Sequence, residues 1–564
     1  AYSGEKAWFV RDVAEENDQT LFAVDPIAVS GTQPVLRFYH WYDTEASADG
    51  GFVVAWSSYE VYQQPSSGFS VDYNILGQKF HADGSTSQFG TSANAVNVTA
   101  GIDAMIARAR KAQQSYEVKG SQERFDRAAE AAAWALMEPR RNAELAAFAV
   151  SETGLGKIAD KITKNHRKTL GLIRDIHGKT SFGLINDDAQ SGVSEFLRPK
   201  GVVAAIVPST NPLATPINNI VNALKTGNAI ILAPSPKGAA PLAKLLEYVY
   251  AEFDRIGLDH DLVQMVPNPP SKEKTARLMQ GVDMLVVTGS QSNVRSAYSS
   301  GTPALGVGMG NVVTIIDETA NLDEAAGKIA RSKCFDNATS CSSENAVIVV
   351  DAVYDAFLQA IARAGGMCLD HDQTNHLIST HWHDGHLNRN MLAKDVDAVL
   401  DTLGFADAAP EGTKFLVAPA TAIGQDAPIS GEKMALFFAL YRASDFATAK
   451  EMAREIHAYQ GRGHSLGLHS KDDGRARELA MDMQACRIIV NQAHCFATGG
   501  SFDNGLPFSL SMGCGSWGGN SIDDNLNWTH FVNHVRIARP IAPVEPTVDE
   551  MFADYFKASK QAGV

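Results

Sequence analysis

From about residue 100 onward the chain changes periodicity in a regular way. GIDAMIARARKAQQSY and QERFDRAAEAAAWALM repeat apolar positions every three to four residues and are rich in alanine, which predicts helices. GVVAAIV (201–207) is a continuous apolar, β-branched run, and it is followed by the helix-like PLATPINNIVNALKTG and then NAIILA (228–233). GAAPLAKLLEYVYAEFDRIG predicts a second helix before DMLVVTG (283–289), and QSNVRSAYSS a third before NVVTIID (311–317). Apolar strands separated by helices predict a parallel sheet with right-handed crossovers, buried on both faces. Ligands of such sheets bind beyond the carboxyl ends of the strands. The loops at 208–212, 234–238 and 288–291 therefore come under scrutiny first. From about residue 320 a second α/β unit is expected.

Residues 1–95 have another texture. They hold 16 of the 46 aromatic residues and only four Lys/Arg. VLRFYHWYDTE, GGFVVAWSSYEVY and VDYNILGQKFHADGS alternate and carry Gly/Asp turns, so a β-rich extension is expected there. It carries no catalytic motif.

A length of 564 residues exceeds what one core organises, and two or three domains are expected. The net charge of -15, with no Lys/Arg-rich run, argues against nucleic acid or an anionic membrane as partner. No apolar run approaches the ~18 to 20 residues of a membrane span. AYSGEKAWFV has neither the basic nor the apolar segment of a signal peptide. The six cysteines form no C-x-x-C pair, which in a chain this long reads as a reduced cytoplasmic protein with free thiols.

Two patterns invite misreading. Gly513-Cys514-Gly515-Ser516-Trp517-Gly518 matches G-x-G-x-x-G but lies late in the chain, outside the first turn of a βαβ unit, so it is not read as a dinucleotide fingerprint. His371, His376, His381, His383 and His386 are dense enough for a metal, yet no cysteine accompanies them. DHDQTNH and HWHDGH read as a polar surface connection, and no metal is expected.

The chemistry-bearing stretch is CFDNATSCSSENAVIVV (334–350), where a small-residue turn holding Cys341 precedes an apolar strand. A thiol in such a turn can face a cleft, with main-chain amides near it to hold an oxyanion. TSCSSENAVIV, PSTNP (208–212), VVTGSQ (286–291), GVGMGN (306–311), SGEK (430–433), GRGHS (461–465) and GCGSWGGNS (513–521) stand in the order and approximate spacing of the aldehyde dehydrogenase superfamily. From about residue 100 to 540 the chain resembles its CoA-acylating branch. ETGLGK (152–157), SPKG (235–238), YSSGTPALGVG (298–308), FDNATSCSSENA and HVRIARPI resemble the acylating sulfoacetaldehyde dehydrogenases most.

The resemblance implies an α/β aldehyde dehydrogenase-like fold: a parallel-sheet cofactor domain (96–311), an α/β catalytic domain (312–505), and a return to the cofactor domain with an oligomerisation tail (506–564). It implies Cys341 as nucleophile, Asn211 as an oxyanion donor beside the Cys341 N–H, and Glu432 near the nicotinamide ribose. It also implies His464 as a group that deprotonates or orients the CoA thiol. Hydrolytic members carry a general-base glutamate in an E-L-G-G-K motif. Here the matching Leu305-Gly306-Val307-Gly308-Met309-Gly310-Asn311 has no carboxylate, which favours a thiol acceptor over water.

Cofactor contacts are expected from Pro208, Ser209, Thr210, Ser235, Pro236, Lys237, Thr288, Gly289, Ser290 and Gly308. Ala233-Pro234-Ser235-Pro236-Lys237 offers a lysine and no carboxylate, so NADP is expected alongside NAD. Coenzyme A is the expected co-substrate, and the chain is expected to be a homo-oligomer. For a sulfonate, Thr339, Ser340, Ser342, Asn337 and Arg295 are candidates, with no spacing to choose among them. The rival readings are acylation of acetaldehyde or another short aldehyde, a hydrolytic aldehyde dehydrogenase, and a non-enzymatic surface protein.

Overall fold

The computed structural model describes residues 36–44, 52–64, 68–80, 86–89, 93–383 and 386–561. It divides into two compact units, 1–98 and 99–564. In the first, β1 (Leu36–Thr44), β2 (Phe52–Gln64), β3 (Gly68–Phe80) and β4 (Thr86–Phe89) pair antiparallel in sequence order. These strands fall in the alternating, aromatic-rich segments.

Four helices lead into the second unit's sheets: α1 (Ala93–Val118), α2 (Gln122–Met137), α3 (Pro139–Thr153) and α4 (Ile158–Ile176). Local chemistry sets their limits. The Ser121 hydroxyl accepts from the Arg124 N–H at 3.1 Å to cap α2, and Pro139 opens α3 where no N–H is missed. Two antiparallel strands follow, β5 (Gly183–Asp188) and β6 (Val193–Pro199).

The first parallel sheet then forms. Its strands are β7 (Val202–Val207), β8 (Ala229–Pro234), β9 (Val263–Met265), β10 (Met284–Val287) and β11 (Ala304–Gly306), in the order β11-β10-β7-β8-β9. Helices α5 (Ala214–Lys225), α6 (Ala239–Ile256), α7 (Lys272–Gly281) and α8 (Gln291–Tyr298) make the crossovers. β7, β8 and β10 are buried along their whole length, as a sheet covered on both faces requires.

NVVTIID does not extend this sheet. β12 (Val312–Ile316) lies in a second parallel sheet with β13 (Glu344–Val350), β14 (Gly366–Cys368), β17 (Phe415–Pro419), β18 (Phe437–Ala443), β19 (Leu466–His469) and β20 (Ile488–Val490). The order is β14-β17-β18-β13-β12-β19-β20. β12 can pair there because β13 and β19 present apolar partners on both sides: Ile315 stands beside Ile348 and Leu468. The chain crosses between sheets at 307–311.

The histidine-rich segment differs from the surface connection expected. His371–His381 is a helix closed by a capping box at Asp370, and the short hairpin β15 (Trp382–His383) and β16 (His386–Leu387) follows it. His381 is buried, its ring Nε2 is 3.0 Å from the Lys433 carbonyl, and it packs edge-on against Phe437. The apolar spacing around Leu377 carried that helix face inward, histidine included.

After the second sheet, Phe508, Ile522, Leu526 and Phe531 return to the core of the first. β21 (Val532–Ala538) pairs antiparallel with β6 and completes the β21-β6-β5 ribbon.

Candidate active site

The site is built on the turn between α9 (Leu322–Cys334) and β13. Asp336, Asn337 and Ala338 all have left-handed backbone, with φ of 49°, 51° and 59°. Three such non-glycine residues in succession store strain, so their surroundings must fix them. Asp336 is fully buried. Its carboxylate takes Lys161 at 3.1 Å, Lys164 at 2.5 Å, the Thr339 hydroxyl at 2.8 Å and the Lys157 N–H at 2.8 Å. Burial opposes its charge, but Lys164 and Lys161 outweigh that and hold it below the usual carboxylate range. Burial pushes Lys161 down to about 8. The Asn337 amide donates to the Ala393 carbonyl and to Asp395. Asn337 and Thr339, both considered for a sulfonate, are thus occupied in holding the turn.

The turn delivers Cys341, half-buried, to a small cavity of about 40 Å³. Asn211, Ser340 and Ser342 line the same cavity, and so do Lys164, Arg167 and Lys168 from α4. Lys164 Nζ donates to Asn211 Oδ1 at 2.9 Å. A lysine only donates, so the Asn211 carbonyl must face α4 and its NH2 must point elsewhere. That leaves the amide as a donor on the cavity where Cys341 stands. Burial pushes the Cys341 thiol up to about 11, with the Glu432 charge adding to it. Cys334, in contrast, is not on the cavity; its thiol lies 3.8 Å from the Lys414 carbonyl.

Glu432 is held by its own N–H, which donates to Gln460 Oε1 at 2.7 Å. Burial raises its carboxyl to about 7 against the pull of Lys333 and Lys433. His464 does not line the cavity. It is buried, with Nδ1 2.8 Å from the Ser465 hydroxyl and Nε2 unpartnered. Burial, then the Arg487 charge, holds its pKa well below the ordinary histidine value, so it is neutral. Arg487 ties this region together by donating to the His464 carbonyl at 3.1 Å, the Gly513 carbonyl at 2.8 Å and the Asn525 amide oxygen at 2.7 Å.

The crossing loop 307–311 backs directly onto Cys341. A Cβ on Gly310 would stand 2.1 Å from the Cys341 carbonyl oxygen, so no side chain fits there. A Cβ on Gly308 would stand 2.7 Å from Cys514 Sγ. The G-x-G-x-x-G stretch is packing material of the same kind: a Cβ on Gly518 would meet the Arg462 carbonyl at 2.7 Å. It opens no βαβ unit.

A nicotinamide cofactor would sit at the carboxyl ends of the first sheet's strands. Pro208, Ser209 and Thr210 follow β7, Ser235, Pro236 and Lys237 follow β8, and Thr288, Gly289 and Ser290 follow β10. All lie at the carboxyl edge of one sheet. Ser235 Oγ is buried with no partner, a donor waiting for an acceptor, and Lys237 and Gly289 are exposed. These residues fit the group. Ser290 is partly spent, since its hydroxyl caps α8 at the Asn293 N–H. Arg295 is exposed on α8 and does not line the Cys341 cavity.

The sequence profile of the aldehyde dehydrogenase family matches residues 87–505. The chain belongs to the aldehyde dehydrogenase family. It is 53% identical over 455 residues to the acylating sulfoacetaldehyde dehydrogenase of Cupriavidus necator, covering 81% of this chain and 92% of that one. It is 38% identical over 466 residues to the enzyme of that name from Bilophila wadsworthia, covering 81% and 98%. Its fold is similar to the crystal structure of an acetylating aldehyde dehydrogenase from Geobacillus thermoglucosidasius, with a TM-score of 0.77 and 31% identity over 81% of this chain and all of that one.

Within this aldehyde dehydrogenase, the motifs found the turn and Asn211 but missed what holds them. Lys161, Lys164, Arg167 and Lys168 carried no motif, and Asp336 stood in FDNATSCSSENA without a role assigned to it. A signal was present in KITKNHRK: lysines at 161, 164 and 168 share one face of α4, and that face is buried. Among the described residues no three His, Cys, Asp or Glu side chains gather as metal ligands. None of the described helices is long and apolar enough to cross a membrane.

Proposed function

We propose that this aldehyde dehydrogenase oxidises a small aldehyde, sulfoacetaldehyde, to its acyl-CoA. The observation that carries this is the shared cavity: Cys341 and the Asn211 amide stand on it, cations line it, and no carboxylate does. The named relatives support the same reading. Cys341 adds to the aldehyde carbon as its thiolate, the thiol proton leaving to water, and Glu432, whose charge reaches Cys341, is assigned to the nicotinamide-ribose side. The Asn211 NH2 and the Cys341 N–H hold the oxyanion of the thiohemiacetal, and one such donor is worth ~10²–10³ in rate. A bound nicotinamide supplies the hydride acceptor and leaves Cys341 as an acyl thioester. With no carboxylate on the 305–311 loop to activate water, the CoA thiol takes the acyl group and returns the Cys341 thiol.

His464 belongs to this reading as a neutral, buried group whose unpartnered Nε2 is suited to deprotonate or orient the CoA thiol. Lys237 beyond β8, with no carboxylate beside it, supports use of NADP as well as NAD. The segments 1–95, 96–311, 312–505 and 506–564 are assigned as extension, cofactor domain, catalytic domain, and returning segment with oligomerisation tail. The exposed Val535 and Ile537 on β21 support a homo-oligomer. The free cysteines support a reducing, cytoplasmic setting.

The test is an absorbance assay of reduced cofactor with sulfoacetaldehyde or acetaldehyde, NAD or NADP, with and without CoA. CoA-dependent turnover is expected. Release of free acid at the same rate without CoA contradicts the acylating reading. Cys341→Ala abolishes turnover and Cys334→Ala keeps it; the reverse result contradicts the nucleophile.

A further inference from the structure

We infer that Lys168 and Arg167 form the anion anchor for the substrate's tail, so that α4 selects an aldehyde carrying a sulfonate. The inference rests on the acylating reading above and adds the residues that choose the aldehyde.

The cavity that Cys341 and Asn211 share is cationic on its α4 side. Lys164, Arg167 and Lys168 stand at i, i+3 and i+4 and so present one helix face to it. Lys164 is neutralised by Asp336 and committed to Asn211. The other two have no carboxylate in ion-pair contact among the described residues. Lys168 is buried at 7% exposure, and its ammonium meets only the main-chain carbonyls of Gly499 at 2.5 Å and Ser509 at 3.3 Å. Two of its three N–H donors are used. Burial, then the Arg167 charge, pushes Lys168 down to about 7.

Arg167 spends a single nitrogen, Nη2, on the Phe496 carbonyl at 3.1 Å and the Ser501 hydroxyl at 2.8 Å. Phe496 and Phe508 lie 5.1 and 5.6 Å from its guanidinium carbon and hold the plane in place. Its Nε and Nη1 are left for a ligand. Arg167 also lines an outer groove of about 470 Å³ with Phe502, so it stands at both the cavity and the groove.

Lys168, pushed down to about 7 by burial and the Arg167 charge, and Arg167, which reaches a carboxylate, Asp503, only through the Ser501 hydroxyl, are both stabilised as cations when an anion joins them in the cavity. A tetrahedral sulfonate offers three acceptor oxygens, enough for both groups at once. A neutral aldehyde leaves them unpaired, and that difference is the basis of selection. Gly499 is part of the design: a Cβ there would stand 2.7 Å from Lys168 Nζ and push the ammonium out of the cavity wall.

The test compares the full chain with Lys168→Met, Arg167→Met and Lys168→Arg, using sulfoacetaldehyde and propionaldehyde with CoA and cofactor. The ratio of the two kcat/KM values is the readout. It falls about 10- to 100-fold in each methionine variant, the size of a lost charge-assisted hydrogen bond. Lys168→Arg restores part of it. An unchanged ratio, with both substrates slowed together or neither slowed, overturns the assignment and leaves Lys168 a structural group. Arg167 is half-buried, so its variant decides the question even where Lys168→Met fails to fold. A second measurement does not use turnover: ethanesulfonate slows alkylation of Cys341 by iodoacetamide, and each methionine variant needs a higher concentration for the same protection. If sulfoacetaldehyde is turned over while ethanesulfonate never protects Cys341, the acylating reading stands and the anchor fails. If protection is lost on substitution while no aldehyde is oxidised, the anchor stands and the activity reading fails.

Discussion

Asp336 is the residue on which the position of Cys341 depends. Its carboxylate sits between Lys161 and Lys164, and Lys164 in turn fixes the direction of the Asn211 amide. One ion cluster thereby sets both the Asn211 amide and the strained turn ahead of Cys341. Asp336→Asn leaves two buried lysines without their counter-ion, which costs ~3–5 kcal/mol at neutral pH. The pH dependence has a definite sign. The Asp336 pKa is depressed in the folded chain, so its contribution is complete above the unfolded value of about 4 and is lost as pH falls below it. Urea unfolding should therefore show the wild-type advantage over Asp336→Asn shrinking below about pH 4. A gap that stays constant with pH contradicts the ion cluster.

The same scale governs Cys341. Burial and the Glu432 charge keep its thiol protonated near neutrality, with a value of about 11. Alkylation of Cys341 by iodoacetamide in cofactor-free protein should rise about tenfold per pH unit through the neutral range, because only the thiolate reacts. Glu432→Gln removes an opposing charge and should raise the rate at pH 8, measured by mass spectrometry of the Cys341 peptide. A plateau already at pH 7 contradicts the buried, protonated thiol. At this scale Cys341, Asn211 and Glu432 were legible because each sits in a short motif. Lys164 and Asp336 were not, because their meaning is a contact across 172 positions of sequence.

At the scale of elements, the loop between β11 and β12 does two things at once. It carries the chain from one sheet to the other, and it forms the floor under Cys341. Gly310 has no room for a Cβ against the Cys341 carbonyl. Gly310→Ala should cut kcat by at least ~100-fold, since a displacement of about 1 Å at a nucleophile costs that much. Circular dichroism should still show the folded chain while the unfolding midpoint falls, because the new Cβ meets main chain, and full activity in this variant excludes the close packing described. The elements themselves were readable where the pattern is local. QERFDRAAEAAAWALM is helical over its whole length, and the strands of the first sheet fall where the apolar runs predicted. Two features were not readable. NVVTIID has the composition of any buried strand, and only its partners β13 and β19 assign it to the second sheet. The His371–His381 helix hid behind its polar composition, although Leu377 and the Asp370 cap were there to be read.

For the whole molecule, the tail from 506 to 561 returns to the first sheet and then leaves it. Phe508, Leu526 and Phe531 are fully buried there, whereas β21 beyond them exposes Val535 at 43% and Ile537 at 42%. Such residues on a paired edge strand are suited to a second copy of the chain. Val535→Lys together with Ile537→Lys should reduce the assembly to monomer by light scattering, while the monomer keeps the unfolding midpoint of its core. An unchanged mass places the contact elsewhere.

The sequence alone determined the local and the ordered: helix and strand periods, the parallel α/β class, the motif series from PSTNP to GCGSWGGNS, the small-residue turn holding Cys341, and the missing carboxylate at 305–311. These are legible because each depends on residues a few positions apart or on the absence of a residue type. The tertiary structure decided which charges meet. It placed a lysine-bearing face of α4 against Asp336 and Asn211, buried His464 away from the cavity, and set Lys168 and Arg167 beside Cys341. Coulomb and hydrogen-bond energies act over a few ångströms of space whatever the separation in sequence, so only the folded chain could show them.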